Sequence, residues 1–168
     1  MKKFLFFILI CYMPCNGIFA QSLGKMTLGC KRADIPASLP SGFNICKTNT
    51  NNQLTYATNN TNEYVSFYLK DNIVDKIVMN KFIADELNVN NIKSKLEEVI
   101  LNLYETWGEP SYVGENIYWR FPTSKATFSY TISTDQLADP LGFSGSTSVT
   151  RYISYVEIKL EKTSSFFE

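Results

Sequence analysis

The sequence contains no histidine. That one absence removes the Ser-His-Asp triad, the Cys-His pair and histidine-ligated metal sites together. Cysteine is scarce as well. Of the four present, Cys11 and Cys15 fall in an N-terminal apolar stretch, which leaves only Cys30 and Cys46. Two thiolates are too few for a structural zinc site, which takes four ligands. The 8 glycines form neither a phosphate-binding loop nor a dinucleotide fingerprint. There is no basic excess, with 16 Lys and Arg against 16 Asp and Glu, so the positive stripe that nucleic acid recognition uses is missing. Beyond the first 20 residues no apolar run is long enough to cross a bilayer, which takes about 20 residues. The chain is expected to need no cofactor and no metal, and to bind no nucleic acid.

Two fragments resemble catalytic motifs and fail on spacing. Gly142-Phe143-Ser144-Gly145 looks like the start of a nucleophile elbow, but Ser146 stands where the second glycine is required. Ser22-Leu23-Gly24-Lys25 has a serine–lysine spacing without its partner motifs. Carboxylate-pair chemistry is the one enzymatic route that composition leaves open, since a glycosidase needs two carboxyls across the scissile bond. Glu105, Glu109 and Glu115 lie in and beyond the end of a predicted helix, near Tyr112, whose ring offers a stacking surface for sugar. Acidic residues on the wet side of an amphipathic helix are the ordinary alternative.

The clearest positive signal is the N-terminus. Lys2 and Lys3 precede an uncharged run from Phe4 to Tyr12, and Gly17-Ile18-Phe19-Ala20 suits signal peptidase. We read residues 1–20 as a cleaved signal peptide and 21–168 as a single domain. Cys11 and Cys15 follow Ile10 and Pro14, not the small residue a lipidated cysteine requires. Without Lys2 and Lys3 the 16 basic side chains fall to 14, a net charge of −2 against 16 acidic ones. Export favours a Cys30–Cys46 disulfide; closing such a loop would contribute about 3 kcal/mol by chain entropy. The Asn-, Ile-, Lys-, Tyr- and Phe-rich composition fits a bacterium with an AT-rich genome.

Period-two alternation marks six strands. Leu54-Thr55-Tyr56 reads as a short edge strand. Val65, Phe67 and Leu69 form one face of the next, and Asp71-Asn72 turns the chain into a partner with Ile73, Ile77 and Met79 on one face. Three more cover residues 117–121, 126–132 and 152–160. Between the hairpin and these, Ile92, Leu96, Val99, Ile100, Leu103 and Trp107 recur at spacings of three and four, the stripe of an amphipathic helix. Asn90 or Asn91 is placed to cap its start, and Gly108 and Pro110 to end it. The fold predicted is α+β, an antiparallel sheet of about five or six strands with one amphipathic helix on one face.

Residues 133–150, between two strands, exceed the usual connection of about 4–6 residues. Leu141 and Phe143 among small residues there, with the outward Tyr118 and Tyr155, are the candidate contacts for a partner. Phe166 and Phe167 form a further aromatic pair at the C-terminus. The reading that results is an exported, periplasmic or secreted, non-catalytic module that binds another envelope or secreted protein, of inhibitor or immunity type. The alternatives are a carbohydrate-binding or carbohydrate-active envelope protein using Glu105, Glu109, Glu115 and Tyr112, and a structural component of an envelope assembly. The sequence leaves the oligomeric state open.

Overall fold

A strand with one buried face needs apolar residues at every second position, and this chain repeats that pattern until one wide sheet results. The computed structural model describes residues 22–46, 49–59, 63–137 and 149–163. The expected signal peptide, Leu141, Phe143, Phe166 and Phe167 lie outside the described residues. β1 (Ser22–Leu23) and β2 (Met26–Thr27) make a small hairpin. A 3-10 turn (Arg32–Asp34) then leads into α1 (Ile35–Ser38), with Pro36 in its first turn, where its missing N–H costs nothing. The strands that follow are β3 (Phe43–Ile45), β4 (Gln53–Thr58), β5 (Tyr64–Lys70) and β6 (Ile73–Glu86). Helix α2 (Val89–Trp107) precedes β7 (Tyr112–Val113), β8 (Ile117–Arg120), β9 (Ser124–Leu137) and β10 (Val149–Lys162).

The class is α+β, as predicted, but the main sheet is larger. It has eight strands in the order β3-β4-β5-β6-β10-β9-β8-β7, and every pairing is antiparallel. The two strands missed, β3 and β7, are three and two residues long, too short for alternation to register. β3 also displaces β4 from the edge that Leu54-Thr55-Tyr56 was expected to occupy. The architecture is two meanders, β3 to β6 and β7 to β10, joined where β6 pairs β10. α2 carries the chain from the centre of the sheet to its far edge.

α2 lies against β6 and β10 and buries Ile92, Leu96, Leu103 and Trp107. Burial of each of the three aliphatic side chains contributes about 1.5–3 kcal/mol. They join one cluster with Phe67, Ile77, Trp119, Phe128, Val156 and Leu160. Ile35 and Met26 from the N-terminal segment complete it. Trp119 is the keystone of the helix end. Its Nε1–H donates to the Gly108 carbonyl at 2.8 Å, and its ring meets Trp107 edge-on at 5.3 Å. Gly108 has φ 76° and ψ −165°, a region only glycine visits without strain. Among the described residues no helix is long and apolar enough to cross a membrane.

Three local expectations are corrected. The helix cap is Asn88, not Asn90 or Asn91: Asn88 Oδ1 accepts the Asn90 N–H at 2.9 Å. Asp71 and Asn72 do make the hairpin turn, with φ 55° and 62°, but the register slips between Tyr68 and Leu69. That bulge flips the start of β6, so Val74 is buried and Ile73 is 40% exposed. Cys30 and Cys46 are free thiols, and the expected bridge is not formed. Cys30 adjoins β6, its carbonyl accepting from the Val74 N–H, while Cys46 adjoins β4 through its N–H to Thr55. Gly29 and Cys30 bond the edge of Val74 that faces away from β5, so four strand steps of about 4.8 Å separate the two positions. A disulfide tolerates a Cα separation of about 7 Å at most.

Candidate functional site: the open sheet face and the end of β9

The second face of the sheet carries no described helix or strand, and the register says what it presents. One row runs Thr55, Ser66, Val78, Lys159, Thr127, Tyr118 and Tyr112 across seven strands. These residues alternate with the core set, so the strand periodicity that buries Phe67, Ile77 and Phe128 turns this row to the opposite face, where Ser66 is still buried and its hydroxyl bonds that of Thr55 at 2.9 Å. The face is polar with aromatic islands. At the β7–β8 edge the rings of Tyr112 and Tyr118 stack at 4.9 Å and 18°. Lys125 Nζ sits 4.7 Å from the Tyr118 ring centre. Gly114 makes the stack possible, since a Cβ there would meet the Tyr112 ring at 2.6 Å. Nearer the middle, Tyr155 meets Phe82 edge-on at 5.8 Å. On β5 and β6, Lys76 Nζ lies 3.9 Å over the Tyr68 ring. Burial first, and then the Glu157 carboxylate opposite, pushes the Tyr64 phenol above its ordinary range.

Tyr118 and Tyr155 thus share one face, as predicted of outward residues on β8 and β10. They do not form one patch: strand geometry puts them about 17 Å apart, with polar residues between. Phe82, the partner of Tyr155, went unrecognised because β6 continues past Met79 through Asn80, Lys81 and Asp85, which break the apolar alternation.

Both ends of the segment expected to be a long connection are strand, and residues 138–148 lie outside the described residues. β9 runs to Leu137 and β10 starts at Val149, paired without a register shift from Ser124↔Lys162 to Val149↔Leu137. β8 covers the other side of β9 only as far as Phe128. Residues 129–137 therefore have a partner strand on one side alone among the described residues. The end of this arm is tied back to β6, where Arg151 forms a two-point ion pair with Asp85. That contact holds the Asp85 carboxyl below the usual carboxylate range.

The carboxylates of the sugar reading are not gathered. Glu105, Glu109 and Glu115 are all exposed, and Tyr112 is 52% exposed at the sheet edge. Among the described residues, the structure brings only Tyr112 together with another singled-out residue, Tyr118. A groove of about 680 Å³ lies elsewhere, between α1 and β3 to β6, lined by Ile45, Leu54, Tyr56 and Ile73 with Lys31 and Arg32 at its rim. None of the described sequence-derived candidates lines it. Among the described residues there is no cluster of three metal-ligating side chains. Compared with known proteins, the chain matches no family model, no curated protein and no solved structure.

Proposed function

We propose that this chain is an exported, non-catalytic binding module that acts by protein–protein contact, of the inhibitor or immunity type, and that its contact surface is the open sheet face. The observation that carries the reading is the placement of Tyr118 and Tyr155 on a face with no helix over it among the described residues, each half-buried against another ring. Tyr and Phe rings held rigid by neighbours supply contact area at low entropic cost, and each Tyr keeps a hydroxyl for a hydrogen bond. Polar residues between the islands keep such a surface soluble until a partner covers it.

The test is capture of partners from envelope and secreted fractions. The bait is the chain as recovered after export, beside Tyr118→Ala/Tyr155→Ala and Leu141→Ala/Phe143→Ala variants. One stoichiometric protein, lost with the tyrosine variant, supports the face as the contact. Loss only with the loop variant moves the contact to residues 138–148. A second reading, sugar binding without hydrolysis, draws on the Tyr112–Tyr118 stack, whose outer ring is exposed. Retention on peptidoglycan that Tyr112→Ala abolishes, with no protein captured, would replace the first reading by this one.

A further inference from the structure

Residues 129–137 present a row of backbone N–H and C=O groups with no strand against them among the described residues. At about 3.4 Å per residue this edge is about 30 Å long. Natural sheets protect such edges with Lys, Pro, bulges or extreme shortness, because an unpaired edge is a template for another strand. Among the described residues this edge carries one charge, Asp135, and none of the other devices. It reads Ser-Tyr-Thr-Ile-Ser-Thr-Asp-Gln-Leu, it contains no Lys, Arg or Pro, and its pairing to β10 shows no irregularity. The two outermost strands differ from it: β3 and β7 are three and two residues long.

We propose that two copies of this chain join edge to edge through β9, antiparallel, with Ser133 facing Ser133 across the two-fold axis. This is independent of the partner-binding face, which the pairing leaves open. Self-complementarity and the length of the edge favour this occupant and this register. Antiparallel pairing of identical strands is isologous and closes on itself. Centred on Ser133, it spans all nine positions, setting Ser129 opposite Leu137, Tyr130 opposite Gln136 and Ile132 opposite Thr134. The only charge, Asp135, then faces Thr131, so the two copies never set like charges directly opposite each other.

The same register keeps both core faces on one side. Tyr130, 52% exposed, and the half-buried Ile132 lie on that face, opposite Val156 and Ser154. In the pair they meet the second copy's Gln136 and Thr134, whose side chains cover part of the exposed Tyr130 and Ile132 surface. The product is one continuous sheet of sixteen strands from two eight-stranded halves.

The experiment is light scattering after size exclusion on the exported chain over a range of micromolar concentrations. The expected mass is that of a dimer. Ser133→Lys and Ser133→Glu each place like charges opposite each other at the axis and weaken the dimer roughly tenfold. An equimolar mixture of the two restores it, as a heterodimer by native mass spectrometry. Amide exchange at residues 130–136 becomes protected as concentration rises. A wild-type monomer at every concentration overturns the proposal, as does a dimer indifferent to Ser133→Lys. Open-ended assemblies overturn it too, because isologous pairing must close. Concentration-independent protection of these amides would show that the chain covers its own edge, and would overturn it as well. Loss of partner capture in the tyrosine variant with dimer mass intact leaves this proposal standing, so the two readings fail separately.

Discussion

The two ends of β9 alternate in the same way and live in different surroundings. From Ser124 to Phe128 the strand has β8 on one side and β10 on the other, and Ala126 and Phe128 are 0% and 1% exposed. Two residues on, Tyr130 occupies the same face and is 52% exposed. Alternation reports that a segment is a strand with two unlike faces. Whether the apolar face is buried depends on what lies over and beside it, and here the cover from α2 and β8 runs out along the strand.

The largest test of that contrast is a pair of truncations. Phe128→Ala is expected to cost about 3–5 kcal/mol, whereas Tyr130→Ala should stay within about 0.5–1 kcal/mol. Urea unfolding of both variants measures the difference, and equal losses would mean that the end of β9 is as enclosed as its start. The cover itself is tested by Asn88→Ala, which removes the cap of α2 and should cost about 1 kcal/mol, with Asn90→Ala as the silent neighbour. A smaller effect is expected at Ser154, fully buried with no partner for its hydroxyl among the described residues. Ser154→Ala should be neutral or stabilising by up to about 1 kcal/mol. If it destabilises instead, the hydroxyl has a partner and the boundary between enclosed and open sheet lies further out.

The smallest effect is in acid. Ionised Asp85, held low by Arg151, favours the folded arm above its unfolded pKa of about 3.9. That contribution is lost as pH falls through the lower folded value. Glu86 is held low by Lys95 and Asn91 and follows the same sign. Amide exchange at residues 149–153 should therefore accelerate below about pH 4 before exchange at residues 156–160 does, and Asp85→Asn should reduce the pH dependence at the arm to the part carried by Glu86.

The α+β class, the helix, its stripe and its glycine stop could be read from residues because each rests on local spacing. The same holds for Tyr118 and Tyr155 as outward residues, whose position follows from the parity of Trp119 and Val156. Elements whose cause is not local were hidden. The bulge that buries Val74 in place of Ile73 has no residue signature, since neither Asp75 nor Leu69 is diagnostic. β3 and β7 exist because neighbouring strands offer them edges. Cys30 and Cys46 looked like a bridge because spacing along the chain says nothing about the four strand steps that separate them. The end of β9 read as loop because Ser133, Thr134, Asp135 and Gln136 are polar on both faces. They become strand by pairing with β10.

The seam between the two meanders carries a consequence for how the chain matures. Residues 76–86 of β6 pair with residues 152–161 of β10, so the middle of the finished sheet joins one of the earliest long strands to the last. A polypeptide that emerges N-terminus first, from a ribosome or a translocation channel, exposes that flank of β6 until residues 152–161 have followed. Closing so distant a contact is intrinsically slow. A chain cut before β10 would leave two unjoined half-sheets, so delivery of β10 acts as the checkpoint for assembly of the core.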